Sequence, residues 1–387
     1  MNKRYSIIVS LSVVGILFII FQISNLKSYW SGFLPTESIL NDTIAGTSYH
    51  TENSTILILY WSSVFGRKVN VTGIDGKYKF PFFAVSDKCP VKCELTSNKS
   101  RIAEASAIVI HGRDAEEMPP ASSRHNTVPW IFHANENPVF TKALRNGDIM
   151  QKFSYSASYR LDSDFPCPQF YKPKLTRPVA FAKKTGLSVA VYSHCEKTRT
   201  LYLHRLMKHM PIDFYGKCMR TMPVLPRTKD NHGFLVGIMS KYKFAFVFPN
   251  ADCDYYMTEK IYIALSSGAV PVWMGTDTID EVLKWGNLKT SVIKVRDFKS
   301  PRQLAKHLLW LSRNEAEYNK FLKWKYEGFN FPREYYESRI AEWWEGSPLF
   351  CQVCMRLAQT NRSVWRRLDV DNCDGRQRRT LEKWIRE

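Results

Sequence analysis

The chain has 387 residues, of which 44% are hydrophobic and 14% aromatic, so it can bury sizeable cores; bulk disorder is excluded, and two or three domains are favoured over one. Its 55 Lys and Arg stand against 36 Asp and Glu, a net charge of +19. That field draws anions, whether phosphates, nucleic acid or acidic lipid headgroups, without choosing among them.

From Ile7 to Ile23 the chain is almost wholly apolar, and no charge falls between Arg4 and Lys27. A helix of that length crosses a hydrocarbon core of about 30 Å. Residues 5–25 are therefore expected to form a transmembrane signal-anchor behind a cytosolic tail at 1–4, with Lys3 and Arg4 kept inside. A cleaved signal peptide is the alternative, but the following SNLKSYW has no clear small-x-small site. The anchor predicts a single-pass type II protein with its bulk in the lumen of the Golgi, or alternatively of the endoplasmic reticulum. The lipid bilayer is then a partner and nucleic acid is not. Five N-x-S/T sequons, at Asn41, Asn53, Asn70, Asn98 and Asn361, fit lumenal exposure as glycosylation sites. Nine cysteines suit an oxidising compartment, and the odd number leaves at least one unpaired.

Residues 26–54 are polar and aperiodic, as expected of a stem. Strand-length apolar runs follow: STILILYW, SAIVIH, VPWIFH, LSVAVYSH, YKFAFVF, AVPVWMG and SVIKVRDF. They are mostly separated by segments of helical period, the pattern of parallel sheets in α/β folds. Ser300 before Pro301 reads as a helix start, with Leu304, Leu308 and Leu311 on one face. Thr258 reads as the cap of EKIYIALSSG, with Gly268 as its stop. The Pro-rich basic stretch from Cys167 to Lys184 reads as a linker between two α/β domains, expected at 55–170 and 171–345, with a C-terminal tail at 346–387.

Two features carry chemistry on their own terms. Thr258, Glu259 and Lys260 open a helix whose free N–H groups and partial positive charge suit phosphate, with Asn250 in the preceding loop to orient a ligand. Arg199 begins a second helical run and is another candidate phosphate clamp. Two D-x-D strings, Asp162 with Asp164 and Asp252 with Asp254, invite a divalent cation, but basic residues and a helix end can do that work. No metal or other cofactor is expected to be required, beyond a stimulatory ion.

The stretch YKFAFVFPNADCDYYMTEKIYIALSSGAVPVWMG resembles the donor-binding signature of family 10 glycosyltransferases, the α1,3/4-fucosyltransferases. FSYSASYRLDSD, WIFHANENP and IVIHGRD are similar to that family's N-terminal signatures, and the likeness runs in order from about Ile56 to Leu357. The resemblance implies a GT-B arrangement: two Rossmann-like domains facing a cleft, the acceptor in the N-terminal half and GDP-fucose in the C-terminal half. It implies Glu136 as catalytic base, Arg199 and Lys260 as diphosphate contacts, and Tyr242, Asn250 and Glu259 as further donor contacts. Arg160, Asp162 and Asp164 fall on the acceptor side. Two departures stand in the donor stretch: Pro249 where the family usually has Glu, and Tyr255 where it usually has Asp.

Relatives of this kind tie the chain's end back to the N-terminal domain, which implies two disulfides linking Cys89 and Cys93 with Cys351 and Cys354, order open; Cys195 with Cys218 is a further candidate pair. The implied activity is inverting transfer of L-fucose from GDP-β-L-fucose to a glycan hydroxyl, α1,3 on N-acetylglucosamine of glycoprotein glycans. Protein O-fucosylation and a catalytically silent, lectin-like membrane protein are the alternatives. Beyond GDP-fucose and glycans, a homodimer is an allowed arrangement.

Overall fold

Continuous apolar runs bury both faces, and here they assemble into two sheets, almost wholly parallel. The first contains β1 (Ile56–Tyr60), β2 (Thr72–Gly73), β3 (Cys93–Thr96), β4 (Ala107–His111), β5 (Trp130–Ala134), β6 (Tyr155–Ser158) and β7 (Phe165–Pro166), in the order β2-β3-β1-β4-β5-β6-β7. Only the β2–β3 pair is antiparallel. The second contains β8 (Gly186–Val191), β9 (Asp213–Tyr215), β10 (Tyr242–Val247), β11 (Val270–Trp273) and β12 (Ile293–Lys294), in the parallel order β12-β11-β10-β8-β9. This computed structural model describes residues 55–70, 72–73, 89–123, 128–226, 228, 230–346, 348–359, 368–371 and 373, all within one unit, Asn53–Glu387. The expected anchor and stem lie outside the described residues, as do the sequons at Asn41, Asn53 and Asn361; among those described, no helix is long and apolar enough to cross a membrane. Asn70 and Asn98 are both exposed.

The main helices are α1 (Lys197–Met207), α2 (Asn231–Met239), α3 (Glu259–Ser267), α4 (Pro301–Leu311) and α5 (Leu349–Ala358). In α4, Ser300 caps by accepting from the Gln303 N–H at 3.2 Å, and Leu304, Leu308 and Leu311 are buried as the periodicity predicts. Thr258 departs from expectation. It holds the N-cap backbone position of α3, but its hydroxyl makes no capping bond, and its buried Oγ1 has no hydrogen-bond partner among the described residues. At the other end Gly268 takes φ +73°, and a Cβ there would meet the Pro178 ring at 2.5 Å, so both conformation and space demand glycine.

The linker is packed rather than loose. Buried Lys325 donates to the carbonyls of Lys174, Thr176 and Ser266, which fastens it to the C-terminal end of α3, where the helix dipole favours a cation. Helix α5 then returns to the first sheet. Its Leu349, Phe350 and Val353 join the core formed by Ile58, Leu95 and Val109. Cys351 and Cys354, one turn apart, bond Cys89 and Cys93 respectively, and Cys195 bonds Cys218. A fourth bridge, Cys253–Cys373, was not foreseen from the sequence. Cys167 is the free thiol, buried and hydrogen-bonded to Asn135 Oδ1 at 3.2 Å.

Cys89–Cys351 and Cys93–Cys354 close nearly the same loop, over 262 and 261 residues, so only the loss of both frees it in the unfolded chain. Replacing all four cysteines by Ser is expected to lower unfolding free energy by about 3 kcal/mol or more, measured by denaturant titration of residues 55–387.

Candidate active site

In an open parallel sheet, ligands bind beyond the carboxyl ends of the strands, where neighbouring strands send their connections to opposite sides. The second sheet has that switch between β8 and β10, and the first has it between β1 and β4. Both crevices are built from polar loops.

At the β8–β10 crevice Arg199, 5% exposed, donates to the Phe248 carbonyl at 2.8 Å and to the His194 carbonyl, and its guanidinium lies over the Tyr192 ring at 4.3 Å. Its fork therefore ties the loop after β8 to the loop after β10. Beyond that strut, Glu259 and Lys260 open α3 with their side chains paired at 2.8 Å and about a quarter exposed. Burial would raise the Glu259 carboxyl, but the charge and hydrogen bond of Lys260, with help from His232, hold it below the ordinary carboxylate value.

At the β1–β4 crevice the Asp114 carboxylate accepts from the N–H groups of Phe65 (2.8 Å) and Gly66 (2.7 Å) and contacts His111 Nδ1 at 2.6 Å. This clasp holds Phe65 at φ +52° with its ring exposed. Behind it, His133 accepts or donates to the Tyr60 hydroxyl at 2.9 Å, and burial pushes its pKa down to about 3.

The two carboxyl edges meet. From the loop after β5, Asn137 donates to Asn250 Oδ1 at 3.2 Å, and Glu136 accepts from the buried Tyr256 hydroxyl at 2.9 Å. Phe140 and His194 pack edge-to-face across the same junction. Burial raises the Glu136 carboxyl above the ordinary value; the Tyr256 hydrogen bond, Arg113 and Lys260 oppose this, and Glu259 adds to it. One carboxylate of raised basicity thus faces a helix amino end, a lysine and an arginine-braced loop, an arrangement that can take a proton on one side and hold an anion on the other.

The structure brings Glu136, Asn250, Glu259 and Lys260 together, with Arg199 beneath them as a strut. It separates others. Tyr242 starts β10, six strand positions or about 20 Å before the crevice, and its hydroxyl is spent on Asp213 at 2.8 Å; the donor-contact role does not fit that placement. Asp164 accepts from Ser156 N and Oγ and fixes the β6–β7 turn instead of facing the cleft. Arg160 pairs with Asp162 and lies over the Tyr255 ring at 5.5 Å, at the cleft's flank. Among the described residues, no three His, Cys, Asp or Glu side chains converge as a metal site.

Sequence reasoning missed Tyr256 and Asn137. Tyr256 lies two residues before the cap of α3, and only pairing of the two halves reveals what its hydroxyl meets. Replacing Lys260 by Ala is expected to weaken binding of inorganic pyrophosphate about tenfold (~1.4 kcal/mol), read by titration calorimetry.

Comparison with known proteins identifies the family. The family profile described as "Fucosyltransferase, N-terminal" matches residues 53–170, and "Glycosyltransferase family 10 (fucosyltransferase) C-term" matches 181–371. The chain is 30% identical over 284 residues to the Bos taurus 3-galactosyl-N-acetylglucosaminide 4-alpha-L-fucosyltransferase FUT3, covering 70% of this chain and 71% of that one. It is 28% identical to Drosophila melanogaster alpha-(1,3)-fucosyltransferase B (75% and 72% covered). It is also 28% identical to Danio rerio GDP-fucose protein O-fucosyltransferase 3 (61% and 55% covered). A crystal structure of an alpha1,3-fucosyltransferase superposes with TM-score 0.50 at 16% identity, over 82% of this chain and 95% of that one, a likeness of fold.

Proposed function

The chain belongs to glycosyltransferase family 10, the fucosyltransferases, and from that premise we propose that it transfers L-fucose from GDP-β-L-fucose to a glycan hydroxyl with inversion, on a GT-B frame. The observation that carries this reading is the Tyr256–Glu136 contact at 2.9 Å. It sets a desolvated carboxylate opposite the amino end of α3.

In the proposed reaction the acceptor oxygen attacks C1 of fucose while its proton passes to Glu136, and the C1–O bond electrons leave with GDP. Lys260 and the free N–H groups of α3 stabilise the charge growing on the diphosphate, and Glu259 accepts from donor hydroxyls. Arg199 keeps the two donor loops in register. The preferred acceptor is N-acetylglucosamine of glycoprotein glycans, joined α1,3; the linkage is supported by the Drosophila relative's printed activity and the acceptor sugar by the Bos taurus relative's. The reaction needs no metal in this reading. A Golgi membrane location, anchored through residues 5–25, completes it and is supported by the apolar segment together with four disulfides. Protein O-fucosylation is the second reading, favoured by the likeness to the Danio rerio protein.

The lumenal part, incubated with GDP-fucose and either a glycan array or folded disulfide-rich protein domains, distinguishes the acceptors; absence of transfer to both overturns the proposal. Glu136→Gln is expected to reduce transfer at least 1000-fold and to leave GDP affinity within about threefold. The pH profile has a definite sign. Since the base works ionised and burial raises its pKa, kcat/KM is expected to fall on the acid side with an apparent pKa above the ordinary Glu value of about 4.3.

A further inference from the structure

We infer that residues 368–371 and 373 form a strap that positions the donor loop, and through it Tyr256 and the base; the inference rests on Glu136 being that base. The strap engages both halves. On the first half, Leu368 packs against the core that includes Leu144, the Asp371 N–H donates to the Leu144 carbonyl at 2.8 Å, and Arg145 donates to the Cys373 carbonyl. On the second half, Cys373 is covalently bonded to Cys253, 120 residues earlier, inside the loop that joins β10 to α3.

Between these anchorages Asp371 lies beside the base's supports. Its carboxylate accepts from the Tyr159 hydroxyl at 3.4 Å and lies 3.7 Å from the Arg160 guanidinium. The buried Tyr159 ring packs edge-to-face on Tyr256 at 5.1 Å, and the Tyr256 hydroxyl donates to Glu136. A chain of contacts therefore runs from Asp371 through Tyr159 and Tyr256 to the catalytic carboxylate.

The loop needs such restraint. Tyr255 sits at φ +62°, an unfavourable conformation for a bulky residue that persists only when its surroundings fix it. Its N–H donates to Thr278 Oγ1 at 2.6 Å, its hydroxyl donates to Glu281 at 3.0 Å, and Arg160 covers its ring. The bonds to Thr278 and Glu281 hold Tyr255 toward the second half. The strap supplies the opposing attachment to the first half, two residues earlier in the loop. Tyr256, caught between them, is placed to within hydrogen-bonding distance of Glu136.

Tyr159, Asp371 and the Cys253–Cys373 bond are thus positioning elements. A hydroxyl donating to a carboxylate favours its ionised form, so loosening Tyr256 moves the acid limb of kcat/KM to higher pH. The Cys253→Ser/Cys373→Ser double variant of the lumenal part is expected to shift that limb upward by about one unit and so to lower kcat/KM by up to about tenfold on the acid side of the limb. Asp371→Asn, which keeps the disulfide and guards against a folding defect, is expected to shift it in the same direction by a smaller amount. Tyr256→Phe sets the full size of the shift. Acid limbs that superpose on wild type in both the double variant and Asp371→Asn overturn the strap while leaving the base intact. Full transfer by Glu136→Gln overturns the base, and the strap's role with it.

Discussion

A carboxylate supplied by one half of this protein is desolvated by the other half, and the Tyr256 hydrogen bond to Glu136 is where that dependence is concentrated. Parallel sheets place their usable polar groups at the carboxyl edge, and a single edge leaves such groups in water, where Glu would be an ordinary weak base. Apposing two edges removes the water. The half that excludes it also supplies the hydroxyl and the cation that keep the carboxylate ionisable. The basicity of the carboxylate and the position of the loop between β10 and α3 are then one variable, since Tyr256 belongs to that loop and Lys260 to the helix it leads into.

Holding two sheets edge to edge is costly in chain entropy, and weak side-chain contacts across the junction, worth about 1 kcal/mol each, do not suffice. The fold answers by crossing the junction with backbone. The linker 167–184 crosses once and is fastened through the Lys325 ammonium, which binds the linker's Lys174 and Thr176 carbonyls together with that of Ser266 in α3. Helix α5 crosses back, is welded to the first sheet at Cys351 and Cys354, and contributes Phe350 and Val353 to that sheet's core. Arg199 performs the corresponding task within the second half, its rigid fork spanning two loops that a lysine's single point of attachment could not span.

The two departures in the donor stretch differ in consequence. Pro249 removes a backbone donor just where the loop leaves β10, and the preceding Phe248 carbonyl is occupied by Arg199. Tyr255 occupies a left-handed backbone position that Asp tolerates better, and the surrounding structure compensates through Thr278, Glu281 and Arg160. The loop keeps its length and its helix, so the substitutions alter how it is held more than where it lies.

The sequence alone marked seven of the twelve described strands, because runs such as ILILY and YKFAFV are short, apolar and doubly buried, while β2, β3, β6, β7 and β9 carry no such run; it also marked the start of α4 through Ser300 and Pro301. It also marked the start of α3 at Glu259 and Lys260, since a helix amino end is a local feature. It did not show that the Tyr242 hydroxyl binds Asp213 at the start of β10, or that Asp164 fixes the connection between β6 and β7. Only the tertiary structure decided that Asn137 reaches Asn250, that Tyr256 meets Glu136, and that Cys253 pairs with Cys373. Each of those contacts joins segments more than a hundred residues apart, and local propensity carries no information about which distant group will complete a buried hydrogen bond or disulfide.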